Sequence, residues 1–312
     1  MSLRVNCDNV SEIMKSRIIQ LVPEIMFNGL SQNKNSGGMV EQLLKAVVAG
    51  ELSQLKIISN WYYDLSSISP ELIMKAVVRL EETYIYRSPI VRSPEKMSDL
   101  IKIIAESPIM NLKCLDLVGL TSDDLPPDIT AAALVRVEYV RADYSLSADQ
   151  NLALFTKIAT SETTKLRVLD TRSNHLHLIS LHIMAEAVVR LEEIILRCTF
   201  LTPEQAESIF HKIANFSKLQ NLKLKRLDLS YNDLSSVPAD VLVKAISRVK
   251  IVDLTRTDLT PEQVTAIFTL VTEGRSSTLR QVNLCDNDVS DSVPGEVRER
   301  AKLGPTEIYF ND

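Results

Sequence analysis

Leu224-Lys225-Arg226-Leu227-Asp228-Leu229-Ser230-Tyr231-Asn232-Asp233-Leu234 carries Leu at its first, fourth, sixth and eleventh positions and Asn at its ninth. Alternate residues of a strand face opposite sides. Positions four and six therefore point inward, and positions three and five point outward. The same frame opens at Leu55, Leu80, Leu112, Val137, Leu166, Leu191, Leu224, Val249 and Leu279. Successive starts lie 25, 32, 25, 29, 25, 33, 25 and 30 residues apart, so short and long units alternate. Such a period marks a stacked array, because one unit cannot bury its apolar face alone.

Further good copies run from Leu166 to Asn174 and from Leu279 to Asn287. Leu-x-x-Leu-x-Leu-x-x-Asn resembles the signature of leucine-rich repeats, over about residues 55–290. The unit lengths and helix-like tails resemble the ribonuclease-inhibitor-like class. The resemblance implies an α/β solenoid, a horseshoe with parallel strands on the concave face and helices on the convex face. Some units depart from the pattern. Asn60 stands where the third Leu belongs and Leu120 where the Asn belongs, and Ser88, Ser145, Thr199 and Thr257 replace Asn in the long units. Asn satisfies backbone groups inside the turn, and Ser or Thr is expected to do so less fully.

The tails carry helix-start signals. Thr202-Pro203-Glu204-Gln205 and Thr260-Pro261-Glu262-Gln263 combine an N-cap Thr, Pro in the first turn and Gln three residues after the cap, and Ser147-Ala148-Asp149-Gln150 repeats this without Pro. Phe155, Phe210 and Phe268 recur at nearly one offset in the long units and read as core. Arg79, Arg136, Arg190 and Arg248 end the short-unit helices, where a cation suits the helix dipole.

Three segments follow from this frame: a helical N-terminal cap with an incomplete repeat over 1–54, a solenoid of nine units over 55–303, and a closing strand within 304–312. Helical spacing is expected over 9–30 and a linker over Ser31 to Gly38. Leu21 to Met26 has a short likeness to the start of an F-box, and a plain capping helix is the preferred reading.

Apolar residues at 45% and charged residues at 24% fit a globular chain. A net charge of −5 gives no basic footprint for nucleic acid or an anionic membrane. The four Cys, at 7, 114, 198 and 285, form no CxxC pair and no Cys-rich cap. Free thiols, a reducing compartment and the cytoplasm are expected. There is no Gly-rich phosphate loop, GxSxG, HExxH or zinc spacing, so no cofactor, metal or catalytic residue is assigned. His175 and His177 lack acidic or thiol partners at metal spacing and read as a polar turn.

The outward positions hold most of the large aromatics. Trp61, Tyr62, Tyr84, Tyr86, Tyr139 and Tyr144 all fall on or beside the outward strand face of the first four units. Trp, Tyr and Arg are what protein interfaces enrich. The second half of the face is instead charged, with Asp170, Asp228 and Asp253 at position five beside Arg172, Arg197, Arg226 and Arg256. Mutual surface ion pairs are the preferred reading there. The candidate partner-binding set is Trp61, Tyr62, Tyr84, Tyr86, Tyr139, Arg141, Tyr144, Asp170, Arg197 and Asp228. The resulting expectation is a non-catalytic module that binds a protein partner, an intracellular recognition or adaptor protein. Three alternatives stand beside it. One is a GTPase-activating protein of the leucine-rich repeat type lending Arg87 or Arg141, although the acidic tail of that family is missing. The others are the repeat part of a substrate receptor and an innate-immune sensor. Self-association through the aromatic face stays open.

Overall fold

A computed structural model of the protein describes residues 2–5, 24–27, 36–59, 68–83, 94–117, 125–217 and 222–311. The chain forms two compact units, residues 1–146 with 164–166, and residues 147–163 with 167–312.

In the first unit the order is β1 (Ser2–Val5), β2 (Glu24–Phe27), α1 (Ser36–Ala49), β3 (Ile57–Ser59), α2 (Pro70–Val77), β4 (Glu82–Thr83), α3 (Pro94–Glu106), β5 (Cys114–Asp116), α4 (Pro127–Leu134) and β6 (Tyr139–Arg141). Each strand pairs in parallel with the next. Residues 24–27 are thus a strand, where the sequence reading expected helical spacing over 9–30. Ile25 lies opposite Ile58 and is 1% exposed, so it fills an inward strand position one unit ahead of the first recognised repeat. Likewise α1 begins at Ser36, inside the stretch read as a linker.

The second unit contains α5 (Ala148–Thr160), β7 (Val168–Asp170), α6 (Leu181–Arg190), β8 (Glu193–Ile195), α7 (Pro203–Asn215), β9 (Arg226–Asp228), α8 (Ala239–Ile246), β10 (Ile251–Asp253), α9 (Pro261–Thr272), β11 (Gln281–Asn283), α10 (Val289–Ser292), α11 (Gly295–Lys302) and β12 (Glu307–Tyr309). Its six strands are parallel neighbours in sequence order. Strand and helix alternate because each short apolar strand is followed by a capped amphipathic tail. Leu224, Leu227, Leu229 and Leu234 are all buried, as are Phe155, Phe210 and Phe268 on the helix side. Full burial of such a side chain contributes about 1.5–3 kcal/mol.

Three side-chain types tie each unit to a neighbour. The first is the N3 glutamine. Ser147, Thr202 and Thr260 form reciprocal capping boxes with Gln150, Gln205 and Gln263. Gln205 Nε2 also donates to the carbonyls of Leu176 at 2.9 Å and Ile179 at 2.6 Å. Gln263 does the same to Leu234 at 2.8 Å and Val237 at 2.6 Å. The second type is the short-unit asparagine. Asn232 Nδ2 donates to Leu196 O and Leu229 O, and its Oδ1 accepts from the N–H groups of Thr199 and Leu201. Asn287 repeats this with Leu254, Leu284, Thr257 and Leu259. Thr199 and Thr257 need only close their own turns, donating to Leu196 O and Leu254 O at 2.7 Å. One Asn therefore serves two turns, and the turns of Thr199 and Thr257 are held although their own units lack it.

The third type is the arginine at the end of each short-unit helix. Arg136 donates to the carbonyls of Ile104, Ala105 and Ser107. Arg248 donates to Ile213 and Ala214, Arg190 to Ser161, and Arg79 to Val48. These carbonyls belong to the C-terminal end of the preceding long-unit helix. The cation thus caps a neighbouring helix, where the sequence reading assigned it to its own.

Candidate functional site

The outward strand face is the candidate site. Trp61, Tyr62, Tyr84 and Tyr86, with Arg87, lie outside the described residues. Of the expected set in the first unit, Tyr139 and Arg141 sit at the two outward positions of β6, both half-buried. Arg141 approaches Asp116 on adjacent β5 at 3.7 Å. Tyr144 stands in the turn after β6 and is 70% exposed. The structure thus brings Tyr139, Arg141 and Tyr144 to one strand and its turn.

The backbone explains the exposure of Tyr144. Position eight of each of the last six units adopts a left-handed φ: 52° at Tyr144, 61° at Ser173, 55° at Cys198, 60° at Tyr231, 51° at Arg256 and 59° at Asp286. This conformation is uncommon for residues other than Gly, Asn and Asp. Here the turn imposes it, and the side chain at this position is held at the end of the strand.

In the second unit, Asp170 and Asp228, expected on the outward face, are drawn in. They are 1% and 7% exposed. Asp170 is engaged by the Arg172 guanidinium, with Nε donating at 3.0 Å and Nη2 at 2.6 Å. Asp228 accepts from the Ser230 N–H at 3.0 Å and hydroxyl at 2.6 Å. The reason is local. An Asp or Asn at position five closes the turn after the strand by accepting the N–H two residues on. Arg172 on Asp170, Thr255 on Asp253 and Cys285 on Asn283 repeat the contact, at 2.9 to 3.2 Å. Burial pushes the Asp228 carboxyl above its ordinary range, against the opposing hydrogen bonds from Ser230.

Arg197 is exposed, and its guanidinium lies 4.4 Å from the centre of the Tyr231 ring. Arg256, one unit on, lies 5.6 Å from the same ring. Tyr231 and Arg256 were outside the expected set, although both occupy position eight of the frame. Beside them, in sequence order, Phe200 is 56% exposed and stacks on His175 at 4.9 Å. None of the described tyrosines, Tyr139, Tyr144, Tyr231 and Tyr309, is buried.

Position two carries a ladder that the sequence reading passed over. Glu81 is bridged by Lys56 at 2.9 Å and Lys113 at 2.6 Å, and Glu192 by Arg167 at 2.7 Å and Lys225 at 2.5 Å. Arg167, then Lys225, hold the Glu192 carboxyl down at about 2. Each acid belongs to a long unit and each base to a short one. At the next long unit the residue is Lys250, not an acid, and it stands between Lys225 and Arg280.

Among the described residues, no group of three His, Cys, Asp or Glu side chains is placed to hold a metal ion. None of the described helices is long and apolar enough to cross a membrane. Cys198 and Cys285 carry free thiols. On the helix side of the first unit a cavity is walled by Val78, Ile103, Pro108 and Ile109, with Lys75 and Glu106 at its edge. The hydroxyl beside it, on Ser107, donates to Ile109 O.

Parallel strands on one side, capped helices on the other and bridging side chains from unit to unit define a repeat solenoid. A family model described as Leucine Rich Repeat matches residues 223–244, the segment with the fullest frame, and the parallel strands alternating with helices fit that family. No curated protein matches the chain. The repeat points to protein interaction as the general role of the fold.

Proposed function

We propose that the protein is a non-catalytic recognition or adaptor module, resembling the ribonuclease-inhibitor-like class, that binds a protein partner in the cytoplasm on its outward strand face. One observation carries the reading. The buried rings on the helix side are Phe155, Phe210 and Phe268, whereas the described tyrosines all reach the surface, led by Tyr144 at 70% exposure. Tyr presents a large amphipathic area at low side-chain entropy cost, which suits a contact surface. Trp61, Tyr62, Tyr84 and Tyr86 extend the proposed surface by their place in the repeat frame, and Arg141 contributes a charged edge.

Tyr144 offers a test that separates binding from structural cover. Its φ of 52° suits Asn better than Tyr. Tyr144→Asn is therefore expected to leave stability unchanged or raise it by up to about 1 kcal/mol, while Tyr144→Asn with Tyr139→Ala abolishes capture of a cross-linked partner. A fall in the urea midpoint of Tyr144→Asn, with capture retained, would show that the ring serves the fold. Light scattering over a concentration series distinguishes a second copy of the chain from a different partner.

A further inference from the structure

The position-two ladder makes clear which charge the solenoid needs. Around Glu81 and Glu192 a long-unit acid sits between two short-unit bases. Lys250 occupies the fourth long-unit place, after Glu81, Glu138 and Glu192, in a chain whose net charge is −5. It is exposed, as is Arg280, and neither has an acidic partner among the described residues. Neighbouring strands lie about 4.8 Å apart, so Lys225, Lys250 and Arg280 crowd three cations along the N-terminal ends of β9, β10 and β11. Like charges on adjacent strands oppose folding, and the solenoid itself gains nothing from them.

The C-terminal ends of the same strands repeat the imbalance independently. Arg197 and Arg256 flank a single ring, Tyr231, at 4.4 and 5.6 Å. Their guanidinium carbons therefore lie no more than about 10 Å apart, by addition of the two distances. Both side chains are exposed and without an acidic partner among the described residues. The ring holds the two guanidiniums by cation–π attraction and leaves their N–H edges available. Such edges match carboxylates in paired hydrogen bonds. Of the carboxylates at position five between the two ends, Asp228 is buried, whereas Asp253 is half-buried, accepts from Thr255 and Asn283 and keeps its charge.

We infer that the face of β8 to β11 binds an acidic segment of a partner protein. Arg197 and Arg256 grip carboxylates at one end of the strands, and Lys250 and Arg280 attract them at the other. This inference rests on the protein-binding reading above and names the chemistry of the partner at the strand face of the second unit.

A fluorescein-labelled octaglutamate peptide serves as the probe, read by anisotropy on the full chain at low and at physiological salt. The wild type is expected to bind it saturably and more weakly as salt rises. Arg197→Gln with Arg256→Gln, and separately Lys250→Glu, are each expected to weaken binding at least tenfold. Lys250→Glu restores the ladder between Lys225 and Arg280, so its melting temperature is expected to hold or rise. Loss of binding in that variant then cannot come from misfolding. Absence of saturable binding by the wild type, or unchanged affinity in both charge variants, overturns the inference. So does equal binding of a short DNA duplex of the same charge, which marks a generic polyanion surface. If the probe fails while a partner is still captured through Tyr139 and Tyr144, the acidic-segment inference falls and the interaction reading stands.

Discussion

At the scale of single residues, Asp228 shows how the fold itself uses a charge that strand alternation places outward. Its carboxylate closes a turn by accepting from Ser230, and Asn283 closes the equivalent turn by accepting from Cys285. An amide oxygen is therefore sufficient for the contact. Burial raises the carboxyl above its ordinary value in the folded state, while the unfolded chain titrates normally. As pH rises past the unfolded value the unfolded state loses its proton first, and stability falls until the folded group ionises as well. Asp228→Asn removes this penalty. The variant is expected to match the wild type near pH 3 and to be more stable at pH 7, judged by urea midpoints at the two values. A variant less stable at pH 7 would mean that attraction from Arg226 outweighs desolvation. Alternation placed Asp170 and Asp228 outward, and it was right about the backbone. What it could not show is that a short side chain at position five folds back onto the N–H two residues on. By contrast, Tyr139, Arg141, Tyr144 and Arg197 are at the surface where the frame put them.

At the scale of elements, helix starts were legible and helix ends were only half so. The Thr-Pro-Glu-Gln signal is a local motif, and its capping boxes form at Thr202 and Thr260. The second task of each Gln, reaching carbonyls of the preceding unit, depends on a neighbour 26 to 29 residues back and leaves no local trace. The same holds for the arginines. Arg248 was readable as a helix-terminal cation, yet its guanidinium serves α7, donating to Ile213 at 2.9 Å and Ala214 at 3.1 Å. Hydrogen bonds from a charged group contribute about 1.5–3 kcal/mol. Arg248→Met keeps most of the stem and removes the donors, so it is expected to cost about that much, read from urea unfolding. Its amide exchange is expected to quicken at the C-terminal turn of α7 before that of α8. Equal quickening in α8 alone would restore the simpler picture of a cation stabilising its own helix.

At the scale of the molecule, the frame found the stacking but not its grouping. Nine starts were visible, and the parallel strands follow them in order. Strands β1 and β2 escaped because their residues carry no Leu-rich frame, and apolar spacing in a short segment is compatible with helix or strand. The boundary of the two compact units was equally hidden. It falls at Ser147, an ordinary N-cap of the repeat, with no Gly-rich or Pro-rich linker to mark it. In a repeat array each layer is stabilised mainly by its neighbours, so damage is expected to spread by adjacency rather than through the whole. Phe210 tests this in the second unit. It is fully buried in α7, which packs between α6 and α8. Phe210→Ala is expected to cost about 3–5 kcal/mol. Hydrogen exchange is expected to rise most in α6, α7, α8, β8 and β9 and least in β12, three strands beyond β9. If instead protection falls equally from β7 to β12, the second unit unfolds as one cooperative body. The bridging Asn, Gln and Arg contacts would then couple its layers more strongly than packing of adjacent helices alone.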